Sequence, residues 1–298
     1  MRVANKTLFD NIRANLGRVT TAMSKANTVV STAKRINQIS DDPVGLVTVL
    51  DLRSSLANVE QLERNIEMGR SWLDSAESAL SQTEELLAEG KTLCVQMASA
   101  TQGSSERANA ATLVDGYLRQ LLSLANTEVG GKYVFSGTKT DIAPFAFDDE
   151  GTPTAVTYSG NDTAFSVRIG KDLSIEVGRD GEDAFGVTAD GIFDTLIDLK
   201  NALQNNDVGG IQGAMDKLDQ HLNSVRSLIS DTGAKSLRLD AKGKILEDLN
   251  LTYTDRKSQI EDADIADAIM DLKAKELAYQ AALSSSSKVM ALSLVDYL

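Results

Sequence analysis

The chain has 298 residues, with 43 acidic against 30 basic side chains, a formal net charge of −13 and a single cysteine. This composition excludes a small disulfide-built module and disfavours a nucleic-acid binder, because phosphate groups need a cationic surface. Only three prolines occur, which favours long helices, because proline removes a backbone donor and clashes with the preceding helical turn.

The first predicted element is a long helix whose apolar side chains recur in alternating steps of three and four residues. This spacing is a heptad repeat, which packs one face of a helix against a partner. The repeat ends at the polar Asn37, and the segment 40–43 predicts that the helix stops before Pro43, with Asp42 as the N-cap of a second helix. The heptad positions are Phe9, Ile12, Leu16, Val19, Met23, Ala26, Val30 and Ala33.

Residues 44 to 100 predict one long helix with a bulky apolar row and a second row of mostly small residues. Small residues let partner helices approach closely, so we expect this helix to pack against others along its length. A turn at 103–106 and a shorter helix from about 106 to 128 follow. The bulky row is Leu52, Val59, Ile66, Leu73, Leu80, Leu87 and Cys94; the small row is Ser55, Leu62, Gly69, Ala76, Thr83, Gly90 and Met97.

The character of the sequence changes between Gly130 and Gly191, which enclose two of the three prolines and five of the seven phenylalanines. Alternating segments such as 165–169 predict a β-rich insert. Helical periodicity then returns. Its clear heptad positions are Ile211, Met215, Leu218, Leu222, Val225 and Ile229, and weaker ones are Ile245, Leu249, Tyr253 and Ile260.

The last predicted helix carries a heptad row and an acidic excess. Residues 1–40 have a net charge of +6 and residues 260–298 have −4, so opposite charge and two apolar rows favour pairing of the chain ends. An amphipathic helix ordinarily covers its own protein's core. Thin helices rich in alanine and serine bury little area alone, however, which predicts that neighbouring copies cover them in a polymer. The C-terminal positions are Ile265, Ile269, Leu272, Tyr279, Leu283 and Met290.

These patterns predict a mainly α fold, in which the N- and C-terminal parts form a nested coiled-coil rod and a small β domain lies in the middle. Residues 1–43 and 261–298 are predicted to be terminal assembly helices. Residues 44–130 and 192–260 are predicted to form the helical rod, and residues 131–191 the inserted domain. Together, Phe9, Ile12, Leu16, Val19, Met23, Val30 and the six C-terminal positions form a predicted assembly seam.

The sequence indicates no catalytic, metal or cofactor site. Cys94 predicts a packed, inert thiol, and His221 a solvated side chain with no second histidine to share a metal. The acidic run 261–267 lacks the glycine and the terminal glutamate of a calcium loop and suits the first turn of a helix. An enzyme housed in the insert would depend on acids such as Asp148, which lie in a turn-like segment where a solvated loop is the ordinary interpretation. We expect no enzyme activity.

Two stretches of the chain resemble the bacterial flagellin family. Residues 34–46, Lys-Arg-Ile-Asn-Gln-Ile-Ser-Asp-Asp-Pro-Val-Gly-Leu, are similar to its N-terminal signature, and residues 260–266 and 277–283 are similar to its C-terminal end. Residues 133–140 and the chain end at 286–298 are more similar to the junction subunits of the family than to its filament subunits. The signature positions are Arg35, Ile36, Asn37, Asp41, Asp42, Pro43 and Gly45.

The resemblance implies a structural subunit of the flagellum, placed between another hook-associated protein and the flagellin filament and packed against copies of itself. It implies export without a cleaved signal peptide, whereas composition alone favours a cytoplasmic protein, because no secretory signal and no run of eighteen apolar residues occurs. It also implies paired termini that line the export channel, and a chaperone that holds the C-terminal helix before assembly. No membrane insertion is expected. The alternative within the family is a small filament flagellin.

Overall fold

The computed structural model describes residues 2–149, 151, 153–186 and 190–295, apart from the side chains of 2–5, 8 and 289–295. The helices are α1 (Arg2–Thr32), α2 (Pro43–Met97), α3 (Ser104–Ala125), α4 (Gly181–Phe185), α5 (Ile192–Gln204), α6 (Val208–Glu261) and α7 (Ile265–Val295). The strands are β1 (Glu128–Val129), β2 (Lys132–Tyr133), β3 (Phe145–Phe147), β4 (Val156–Tyr158), β5 (Ser166–Arg168) and β6 (Ser174–Glu176). The chain is therefore mainly helical with a small strand-containing middle, as predicted.

The chain divides into two compact units. The terminal unit comprises residues 1–59 and 248–298, and the central unit comprises residues 60–247. Helices α2 and α6 contribute residues to both units. In the central unit α3 packs against α5, and a salt bridge of 2.7 Å between Lys200 Nζ and Asp115 Oδ1 joins these two helices.

Helix α2 carries the core of the central unit on two adjacent rows of one face, the two rows that the sequence predicts. From residue 62 onward every position of both rows is buried. Gly69 shows why one row has to be small: a Cβ added there would lie 3.2 Å from side-chain carbons of both Leu239 and Val177. That distance is tighter than most real contacts, so the small row lets α6 and the insert approach α2 closely.

In the described residues, the middle of the chain forms three separate antiparallel strand pairs, β1 with β2, β3 with β4 and β5 with β6. Each strand is only two or three residues long, so the predicted β-rich character is present in short hairpins. Phenylalanine side chains hold this region together. The ring of Phe145 lies 5.5 Å from that of Phe185 and 5.6 Å from that of Phe193, and Phe135 meets Phe185 edge-on at 5.0 Å. These aromatic contacts, rather than long ladders, form its core.

Two local predictions about the helices are wrong. Helix α1 ends at Thr32 and not near Asn37, because Ala33 takes a left-handed backbone conformation with φ of 56°. In α6 the predicted core position Ile245 is exposed, while Leu239 and Leu246 are buried. The buried residues Thr232, Leu239 and Leu246 continue the row of Ile211, Leu218 and Val225 at seven-residue spacing, so the heptad register of α6 is kept and Ile245 lies one residue off it.

Candidate functional site

The two chain ends meet in the terminal unit, where α1 packs against α7. The segment after α1 runs antiparallel to the break between α6 and α7, with a bridge between Lys34 and Asp262. The amide of Ala263 donates to the carbonyl of Ala33 at 3.0 Å. The left-handed Ala33 thus turns the chain from α1 directly onto the end of α6.

The end of α6 provides free carbonyl groups that this segment uses. The amide of Arg35 donates to the Glu261 carbonyl at 2.7 Å, and its guanidinium donates to the Ile260 carbonyl, also at 2.7 Å. The last carbonyls of a helix have no partner within the helix and carry partial negative charge. A cationic side chain with a free amide therefore satisfies this helix end well.

We call the contact between residues 33–42 and the end of α6 the joint. The side chain of Glu261 is its buried centre. Its Oε1 lies 2.5 Å from Lys34 Nζ and 2.5 Å from Arg53 Nη2, so it joins the segment after α1 to α2. The Glu261 side chain is 3% exposed, against 41% for Lys34 and 47% for Arg53. Burial alone would raise the pKa of the Glu261 carboxyl, but the hydrogen bonds from Lys34 and Arg53 outweigh burial and hold the pKa below its ordinary value.

The segment 36–42 is folded by its own acidic side chains. Asp41 Oδ2 accepts hydrogen bonds from the amides of Asn37 and Gln38, both at 3.1 Å, and Oδ1 pairs with Lys25 Nζ at 2.6 Å. The hydrogen bond from Lys25, with those from the two amides, lowers the pKa of Asp41. The Asn37 side chain donates to the Lys34 carbonyl at 2.7 Å, so it belongs to the turn and not to a heptad core.

The start of α2 depends on three signature residues. Asp42 is the N-cap, as predicted: its Oδ1 accepts from the Gly45 amide at 2.8 Å. Pro43 opens the helix at the position where no amide is required. A Cβ at Gly45 would lie 2.4 Å from Asp42 Oδ2 and 2.8 Å from Cδ1 of the buried Ile36. Gly45 therefore makes room for both the cap and the apolar anchor of the segment.

The side chains of the predicted assembly seam are only partly covered. On α1, Phe9 is exposed and the other seam positions are intermediate, with full burial at Ala26 alone among the described side chains of the helix. On α7, Leu272 and Tyr279 are intermediate, whereas Ile265, Ile269 and Leu283 remain 41 to 44% exposed. Met290 lies outside the described side chains. The role of the seam in assembly stays a prediction.

Helix α7 presents large apolar side chains on a second face that the heptad row does not include. Met270 is 62% and Leu277 66% exposed, and they lie seven residues apart on the side of the helix opposite Leu272 and Tyr279. A helix that is apolar on opposite faces is ordinarily buried on both. A single α1 helix covers one face only.

The opposite charges of the chain ends are not matched by contacts along the two helices. Among the described side chains, no ion pair joins α1 to α7. The lysines of α7 pair within their own helix, Lys273 with Glu276 and Lys275 with Asp271. The chain ends nevertheless pair as expected, since α1 packs against α7 and the ion pair of Lys34 with Glu261 joins residues 1–40 to residues 260–298. Long side chains reach neighbours on the same helix more readily than across a row of small residues.

The two isolated reactive side chains both lie in the central unit. Cys94 is buried as predicted, and burial raises the pKa of its thiol to about 12. The prediction of a solvated His221 is wrong. It is half-buried, and its Nε2 lies 2.9 Å from Thr195 Oγ1. In the described part of the chain, no three histidine, cysteine or acidic residues are grouped to hold a metal ion.

Sequence reasoning did not identify Arg53, Lys25 or the buried role of Glu261. Their partners are far apart in the chain or on another element, and each residue taken singly resembles an ordinary surface charge. The signal available was that Lys34 and Glu261 both lie in the stretches that carry the family resemblance. No described helix is long and apolar enough to cross a membrane.

Comparison with known proteins gives consistent matches at both chain ends. Residues 3–140 match the bacterial flagellin N-terminal helical region, and residues 215–298 match the C-terminal helical region. The flagellar hook-associated protein 3 of Escherichia coli K12 is 24% identical, over 99% of this chain and 98% of the relative. The flagellin of Bacillus subtilis 168 is 25% identical, over 94% and 93%.

The fold also matches a solved structure. The flagellar hook-associated protein 3 of Legionella pneumophila aligns with a TM-score of 0.62 at 16% identity, and the match covers 70% of this chain and 98% of that one. At this identity the likeness concerns the fold. The mainly helical architecture with a strand-containing middle is thus shared with a flagellar protein of known structure.

Proposed function

The chain belongs to the bacterial flagellin family, and we propose that it is the adaptor subunit that joins a hook-associated protein to the flagellin filament. It works as a structural part of the flagellum, without catalysis. The likeness to hook-associated protein 3 over almost the full length of both chains supports this assignment. So does the resemblance of residues 133–140 and 286–298 to junction subunits.

The observation that carries the proposal is the incomplete burial of the paired chain ends. Helices α1 and α7 pack together, yet Phe9, Ile269 and Leu283 each keep more than two fifths of their surface exposed. An isolated monomer rarely leaves so many large apolar side chains exposed along one pair of helices. Neighbouring subunits of an array can cover them, which is how a heterologous interface builds a helical assembly.

The second face of α7 extends this argument. Met270 and Leu277 lie opposite the α1 side of the helix, so we assign them to contacts with neighbouring subunits. Before assembly the same face would promote aggregation. A chaperone that covers α7 until export would prevent this aggregation. Export then proceeds without a cleaved signal peptide, and the final position is at the junction outside the cell.

The second candidate function is that of a small filament flagellin. The Bacillus subtilis flagellin match is as strong in identity as the Escherichia coli one, 25% against 24%, so identity does not separate the two. Copy number does. Immunogold labelling of whole flagella with an antibody to this chain should mark a single band at the hook end. Labelling along the whole filament would contradict the adaptor role and favour the flagellin.

A truncation tests the use of the chain end in either role. Removing residues 284–298 should leave the central unit folded, because that unit ends at residue 247. The shortened chain should still be exported but should not enter the flagellum. Flagella of normal length and motility in a strain that carries only the truncated chain would refute assembly through the paired ends.

A further inference from the structure

Helices α1 and α7 could pair in more than one register, that is, with α1 displaced along α7. The covered positions of α1 follow the heptad repeat and are all apolar, as at Val19, Met23 and Ala26. A slip by one heptad, about 10 Å along the helix axis, would again place apolar residues opposite apolar residues. In other coiled coils, a polar group at one position selects the register at some cost in stability.

Backbone hydrogen bonds at the joint hold the chain but do not identify the residue. The amide of Ala263 donates to the carbonyl of Ala33, and the amide of Arg35 donates to the carbonyl of Glu261. Peptide groups are the same at every residue, so a shifted segment could offer equivalent donors and acceptors. Selection of one register needs a side chain that only one alignment satisfies.

Glu261 has the burial and the partners that this selection requires. Its carboxylate is almost fully buried, whereas the two cations that bind it keep nearly half of their surface in water. The cost of desolvation thus falls mainly on the carboxylate, whose Oε1 pairs with both Lys34 and Arg53. Lys34 completes the pair only when the segment after α1 is docked at this one position.

We propose that Glu261 is a positioning residue that sets the register of the α1–α7 pair by holding Lys34 beside Arg53. A segment shifted by one heptad would place Asn27 or Asp41 where Lys34 lies and would leave the buried carboxylate with Arg53 as its one remaining cation. The consequence for assembly depends on the proposed function, because neighbouring subunits can only match seams that share one register. The register itself is a property of the folded chain.

Pulsed electron paramagnetic resonance on the full-length chain tests the proposal. Equal rise along both helices from the Lys34–Asp262 bridge places Ser24 beside residue 272, so nitroxides go on Ser24→Cys and Lys273→Cys in a Cys94→Ala background. Labelled chains are diluted into unlabelled ones, so that only distances within one chain are measured. Measurements are made on the free protein and on flagella that have incorporated it.

The parent should give one distance. Glu261→Gln and Lys34→Met should each add a second population, displaced by one heptad or about 10 Å along the axis. The control Asp219→Asn, which breaks a 2.5 Å ion pair with Lys91 in the central unit, should keep the single distance. If Glu261→Gln separates the helices altogether, Lys34→Met decides, since it leaves the Arg53 pair in place.

A single parental distance in both Glu261→Gln and Lys34→Met would overturn the proposal. A second population in the Asp219→Asn control would overturn it too, since loss of any ion pair would then have the same effect. Failure of the proposed function gives a different result: the parent would keep one register and the variants would shift, but immunogold would find no label at the hook end.

Discussion

Gly45 offers a test in which two physical effects of one substitution oppose each other. Gly45→Ala should gain up to about 1 kcal/mol from helix propensity, because alanine loses less conformational entropy than glycine. The added Cβ would however lie 2.4 Å from Asp42 Oδ2 and 2.8 Å from Ile36 Cδ1. Both of these side chains have to move, because both distances are shorter than those real Cβ atoms show.

The cost of these displacements decides whether Gly45→Ala stabilises or destabilises the chain. Moving Asp42 loses an N-cap worth about 1 kcal/mol, and forcing the buried Ile36 aside costs roughly 1 to 3 kcal/mol, as overpacked sites do. The net expectation is a loss of about 1 to 3 kcal/mol of local stability. Gly17→Ala is the matched control, because Gly17 lies in the exposed part of α1 with no atom within 4 Å of an added Cβ. It should stabilise its helix by up to about 1 kcal/mol.

Hydrogen exchange measured by mass spectrometry on the intact chain reads both variants. Peptides that cover residues 36–56 should exchange roughly tenfold to a hundredfold faster in Gly45→Ala. Peptides from α1 should exchange more slowly in Gly17→Ala. Protection at 36–56 that is unchanged or increased in Gly45→Ala would refute the argument, since it would mean that Asp42 and Ile36 accommodate the methyl group freely.

Three further predictions concern assembly, pH and core packing. Leu16→Asp places a charge in the covered face of α1 and should lower the stability of the assembled state by several kcal/mol. Equal incorporation of Leu16→Asp and of the exposed control Asn11→Asp into flagella would contradict this. Burial lowers the pKa of His221 below its ordinary 6.5, so the folded chain binds fewer protons than the unfolded chain, and stability of the central unit should fall as the pH drops below about 6.5. His221→Gln should remove that part of the slope in urea unfolding at several pH values, and an unchanged slope would show that other groups cause it. Cys94 should react with thiol reagents only when the central unit opens. Leu80→Ala costs about 2 to 5 kcal/mol of stability and should therefore speed labelling by at least about thirtyfold. A labelling rate unaffected by Leu80→Ala would mean that a local opening exposes the thiol.

The long helices were predictable because their determinants are local. Both rows of α2 repeat within the helix itself, and Asp42 and Pro43 mark its start by chemistry that acts over one turn. The insert was predictable in composition but not in pairing. Its strands are too short for alternation to fix their ends, and the contacts among Phe135, Phe145 and Phe185 that hold it depend on tertiary packing.

The joint between the chain ends was not predictable in the same way. Helix α1 carries no proline or glycine at its end, and its heptad pattern permits continuation to Asn37. It stops because Ala33 and Arg35 are bound by the end of α6, more than 220 residues further along the sequence. Glu261 looked like part of an acidic first turn for the same reason. Its partners Lys34 and Arg53 come from the other end of the chain, and a periodicity argument carries no information about them.

The two units differ in how their apolar surface is satisfied, and this difference bears on function. Leu80 and Leu87 in the central unit are fully buried within one chain, whereas Met270 and Leu277 in the terminal unit keep almost two thirds of their surface exposed. Covering the exposed part of each would be worth about 1 to 2 kcal/mol, a free energy that only a neighbouring molecule can supply. The terminal unit should therefore gain its full stability on assembly, by mass action. Apolar rows stabilise every register of the α1–α7 pair that places apolar residues opposite each other. The buried carboxylate of Glu261 stabilises only the register that brings Lys34 to it, which burial of apolar area cannot achieve.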